Sequence, residues 1–171
     1  MKKALLFLLT LVFMIPAIGQ NKFVGTNTCA CHNLPKQGKQ VDVWKKSAHA
    51  KAFETLKSAK AAEFAKAKNI AGAPSEAKEC LDCHTTGYGE AADKSFKMEQ
   101  GVQCEACHGA ASGYKALHNK PENKEKAVAA GLIAKPSEKS CLSCHTNKMH
   151  DVKAFDYKKM WEEIKHPAPK G

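Results

Sequence analysis

The chain has 171 residues and carries 27 lysines, no arginine and 17 acidic side chains, for a formal charge of +10. That length suits one domain, but large apolar side chains are few, so the polypeptide alone would bury only a thin core. Nucleic acid is not the partner such basicity implies here, because the chain lacks the guanidinium forks and aromatic-basic motifs of that recognition.

Lys2 and Lys3 precede an apolar run from Ala4 to Ile15, and Ala17-Ile18-Gly19 offers a small-x-small cleavage site. Residues 1–19 therefore read as a secretory signal peptide, and residues 20–171 as a single mature domain. The run is too short for a permanent membrane span. The expected location is the periplasm, with the extracellular side as the other exported destination.

Cys29-Ala30-Cys31-His32 comes next, a shortened relative of a motif that recurs complete three times downstream. Residues from Val43 to Ala67 read as helical, with Trp44, Phe53, Leu56 and Phe64 set among Ala and Lys, before Ala71-Gly72-Ala73-Pro74 ends the pattern. Pro74-Ser75-Glu76 leads into Cys80, and Pro136-Ser137-Glu138 leads into Cys141, an internal repeat in which each serine is a plausible helix cap. Thr86-Gly87-Tyr88-Gly89 reads as a loop, and Pro121 to Ala130 as a short helix closed by Gly131. Phe155, Met160, Trp161 and Ile164 form one apolar face of a last helix ending at His166-Pro167. No alternating β-branched run appears. The expected fold is mainly α with long irregular loops, little or no sheet, and stacked cofactors as its interior.

The three complete motifs are Cys80/Cys83/His84, Cys104/Cys107/His108 and Cys141/Cys144/His145. Cys-x-x-Cys-His is the attachment sequence of c-type haem. One helical turn puts both thiols on one side, where they form thioethers with the haem vinyls, and the next residue offers its imidazole to iron. A disulfide framework would explain an even cysteine count but not the trailing histidines. A zinc ribbon would explain Cys80-x-x-Cys83 and Cys104-x-x-Cys107 as a pair, but not the further complete repeat at Cys141 with the same trailing histidine. In the first site one residue separates the thiols, so either both attach through an unusual turn or Cys31 alone does so. A degenerate site with a stray thiol is the bland alternative. Four haems c are expected, using all eight cysteines.

Four histidines remain outside the motifs: His49, His118, His150 and His166. The count permits a second axial imidazole on every iron. Met98 and Met149 are the other candidate ligands, better suited to filling gaps around porphyrins. Losing Lys2 and Lys3 with the leader leaves twenty-five lysines against seventeen acids. The eight propionates of four haems offset that excess, and a remaining lysine patch could dock an acidic redox protein.

Trp44-x-x-Ser47-x-His49-Ala50, then Cys80-Leu81-Asp82-Cys83-His84-Thr85-Thr86-Gly87-Tyr88-Gly89, Gly101-Val102-Gln103-Cys104-Glu105-Ala106-Cys107-His108-Gly109 and Ile164-Lys165-His166-Pro167 follow one another in this order. In order and flanking residues the chain resembles the cytochrome c-554 family of multihaem cytochromes. The resemblance implies a compact, exported tetrahaem protein that passes electrons between redox partner proteins, with His49 and His166 as distal ligands. It departs from the family at the Cys29–Cys31 spacing, and it does not carry over His118 or His150. An iron lacking its second imidazole would have an open face, giving the alternative of a haem enzyme acting on nitric oxide, nitrite or hydroxylamine. Stacking of copies into an oligomer or filament is left open by the sequence.

Overall fold

Short helices, none longer than nine residues among the described residues, carry the motifs and are joined by turns. The computed structural model describes residues 20–146, 149–150 and 155–167. The predicted signal peptide lies outside them. The α-helices are α1 (Gln40–Lys46), α2 (Ala52–Thr55), α3 (Ala59–Ala67), α4 (Lys78–His84), α5 (Cys104–His108), α6 (Lys124–Ala129), α7 (Glu138–Cys141) and α8 (Tyr157–Ile164). Turns of 3-10 helix cover Thr26–Asn33, Pro35–Gln37, His49–Lys51, Met98–Gln100 and Pro121–Asn123. Among the described residues there is no strand, only a single bridge between Phe23 and Ala92. The mainly α expectation holds.

The segment expected to be helical over Val43 to Ala67 is the end of α1, a 3-10 turn, α2 and α3. Two serines explain the breaks. The Ser47 hydroxyl donates to the Trp44 carbonyl at 2.7 Å and accepts the Ala50 N–H at 3.4 Å, closing α1 and starting the next turn. Ser58 caps α3, its hydroxyl accepting the Ala61 N–H at 3.1 Å. The serines of the internal repeat act differently. Ser75 lies ahead of the N-cap of α4, which is Ala77, and Ser137 stands at the N-cap of α7 without a side-chain cap bond. In the segment from Pro121 to Ala130 a 3-10 turn precedes α6, and Gly131 follows at φ +104°. Helix α8 stops at Ile164, leaving His166 in extended chain, and Phe155 precedes the helix.

Two small apolar clusters make the core. Val24, Ala111, Tyr114 and Ala127 join the N-terminal segment to the chain around residue 114 and to α6. Phe53, Leu56 and Leu81 join α2 to α4, with Met98 packed against them. Buried polar residues hold the space between. The Gln103 side-chain Oε1 accepts the Thr26 N–H at 2.8 Å, and the Gln103 backbone N–H donates to the Thr86 hydroxyl at 2.6 Å. Such a scaffold is thin for its length and leaves its motif helices half-exposed.

Candidate metal centre

Each complete motif begins on a helix. Helix α4 carries Cys80, Cys83 and His84; α5 carries Cys104, Cys107 and His108; α7 ends at Cys141, and Cys144 and His145 occupy the turn after it. In both α4 and α5 the helix ends at the histidine, which frees that ring from the helix face. The first motif lies in the 3-10 turn, whose backbone is non-helical at Cys29 (φ −91°, ψ 23°). Cys29 is half-buried and Cys31 exposed. All eight cysteines are free thiols.

Every motif histidine faces one of the four spare histidines. His32 and His118 lie with ring centroids 5.8 Å apart and planes 13° from parallel, their Nε2 atoms 3.5 Å from each other. His49 faces His145 at 6.0 Å and 72°, His84 faces His150 at 6.1 Å and 59°, and His108 faces His166 at 5.9 Å and 41°. A metal–imidazole bond is about 2 Å. Two such bonds on opposite sides of one ion, plus the distance from nitrogen to ring centre at each end, span roughly 6 Å. All four pairs meet that spacing.

The tautomers agree with this. Nδ1 of His84 lies 2.9 Å from the Ala52 carbonyl, Nδ1 of His108 2.8 Å from that of Ile133, and Nδ1 of His118 2.8 Å from that of Lys115. A carbonyl can only accept, so in these rings Nδ1 carries the proton and Nε2 keeps its lone pair for a metal. Burial lowers the proton affinity of His32, His49, His108 and His150, with neighbouring histidines adding to the effect in each. The neutral imidazole that results is the form that binds iron. Phe64 stacks on His150 and Phe155 on His145, each with centroids 4.7 Å apart. Sequence reading took these two phenylalanines only as helix-face residues.

His49 owes its place to Gly101. The Val102 N–H donates to the His49 carbonyl at 2.9 Å, and a Cβ on Gly101, at φ +71°, would lie 2.6 Å from that oxygen. Trp44 supports the same contact, its indole N–H donating to the Val102 carbonyl at 2.7 Å.

Thiols of different sites are neighbours. Cys29 is hydrogen-bonded to Cys104, which pushes its proton affinity up and draws Cys104 down to about 7. Cys83 is pushed up to about 11 by burial and then by Cys144, whose thiol also lies 3.9 Å from the Asp82 carbonyl. Cys107, raised to about 11 by burial, feels Cys141 of the fourth site. Adjacency therefore runs first, third, fourth, second.

A four-donor zinc cage is not built here, since among the described residues no three His, Cys, Asp or Glu side chains converge. Two imidazoles facing each other beside paired thiols suit a haem c with two histidine ligands, because porphyrin supplies the other four donors. The residues present fit that group.

A family described as cytochrome c554 and c-prime matches residues 28–109. Cytochrome c-554 of Nitrosomonas europaea is 33% identical over 141 residues, covering 73% of this chain and 58% of the relative. The chain thus spans under two thirds of that relative's length. No solved structure matches. By its motif order, its helical fold and these likenesses the chain matches the cytochrome c-554 family over residues 28–109, and haem c is the cofactor this match implies.

Proposed function

We propose that this chain is an exported tetrahaem cytochrome that carries electrons between redox partner proteins in the periplasm. One observation carries the reading: four motif histidines and four spare histidines pair one to one at a common spacing of 5.8–6.1 Å. The proposed axial sets are His32/His118, His84/His150, His108/His166 and His145/His49. Cys80, Cys83, Cys104, Cys107, Cys141 and Cys144 anchor three haems, and Cys31, with or without Cys29, anchors the first.

Haem c supplies a one-electron couple when bound. The protein's part is to hold two neutral imidazoles on each metal in both oxidation states, so that exchange needs little rearrangement. Carbonyls of Ala52, Ile133 and Lys115 keep three rings oriented for this. Neighbouring thiols set attachment sites side by side in the order first, third, fourth, second, which is the order in which charge can be handed on. Export rests on residues 1–19. No helix among the described residues is long and apolar enough to cross a membrane.

Low-temperature EPR of the oxidised protein, with its intact mass, tests the reading. Four haems by mass and only low-spin ferric signals are expected. A high-spin signal that changes on adding nitric oxide or cyanide would reveal an open iron and favour a haem enzyme instead. A mass with three haems would remove the first site.

A further inference from the structure

Between Cys104 and Cys107 lies a buried carboxylate that the electron-carrier reading does not use. Glu105 is 3% exposed. Its Oε1 accepts N–H bonds from Val24 at 2.9 Å and Ala111 at 2.8 Å, and its Oε2 from Val24 at 3.1 Å and Gly25 at 2.7 Å. Both oxygens face only donors. A protonated carboxyl would need an acceptor for its O–H, so this is the bonding pattern of a carboxylate. The ion pairs among the described residues lie elsewhere, at Lys57–Glu54, Lys78–Asp82 and Lys165–Glu162. Its charge contributes to the shifts of Cys29, Cys104 and Tyr114.

A buried anion compensated only by amide dipoles favours positive charge next to it. A ferric haem with two neutral imidazoles carries one net positive charge on its iron and porphyrin core, and the ferrous form carries none. We infer that Glu105 holds the third site, that of Cys104, Cys107 and His108, at a low reduction potential by stabilising its ferric state from inside the attachment loop. The step is transfer of one electron from a redox partner protein to ferric iron, with no bond made or broken at Glu105. The inference rests on the haem reading of that site. Net charge and burial are among the levers that set such potentials.

The test is an EPR-monitored redox titration of the holoprotein and of Glu105→Gln and Glu105→Asp. The third-site signal is assigned as the one that turns high-spin in His166→Ala. Glu105→Gln is expected to raise that site's potential by more than it moves the other three. Glu105→Asp keeps the charge on a shorter arm, so it should lower thermal stability while leaving the potential in place. A Gln protein whose third-site shift is no larger than the others, or an Asp protein that rises as far as Gln, overturns the inference. If the Gln protein fails to take up haem, the unsubstituted protein decides: a third-site potential that is the lowest of the four supports the assignment, and any higher rank overturns it. Failure of the underlying reading looks different, as a missing haem or a high-spin third site in the unsubstituted protein.

Discussion

His150 is the exposed member of its pair, held by Phe64 on one side and facing His84 on the other. His150→Ala is therefore expected to turn the second site high-spin while the other three stay low-spin, read by EPR before and after adding cyanide. His118→Ala should do the same at the first site only. Any other site turning high-spin would sink the pairing. Cys29 is directed at Cys104 and the Gly25 carbonyl, so Cys29→Ala should keep the first haem through Cys31. The intact mass reports it: four haems are expected, and three would mean that both thiols are needed. Attachment residues were legible because haem c demands a fixed local spacing. His118 and His150 were visible only as a count, since a distal ligand is placed by the path of the chain and has no local motif. Glu105 and Gln103 were harder still. Sequence treats them as the filler of a motif, whereas the fold buries both.

At the level of elements, helix content was readable from composition and the breaks were not. A serine inside an Ala/Lys-rich run looks neutral until its hydroxyl is seen bonding the backbone, as Ser47 and Ser58 do. The turn at Gly101 gives a sharp prediction. With φ +71°, ψ −141° and the His49 carbonyl where a Cβ would go, Gly101→Ala should destabilise the protein by about 1–3 kcal/mol in a denaturant melt. It should also loosen the fourth site, where His49 faces His145. The pairs differ in ring geometry, from 13° between His32 and His118 to 72° between His49 and His145. The angle between imidazole planes sets the splitting of the iron d orbitals. Oxidised protein should accordingly give an ordinary rhombic signal from the first site and a large-g signal from the fourth. Four superimposable signals would contradict these orientations.

At the scale of the whole fold, the two small clusters and few buried polar side chains among the described residues are a weak interior for their number. Chain made without haem attachment should lose most of its far-UV helical signal and melt without a cooperative transition, as calorimetry would record. Retention of a cooperative melt would show that protein contacts alone suffice. The order of the ligand pairs has a topological consequence. In sequence the first members come as His32, His49, His84 and His108, and their partners follow as His118, His145, His150 and His166, so every pair interlocks with every other. A protease cut anywhere between residues 109 and 117 would cross all four axial links. With the four proposed haems bound, the two pieces would stay together, riveted by iron at four points, and would part only when a competing ligand or a denaturant drew the histidines away.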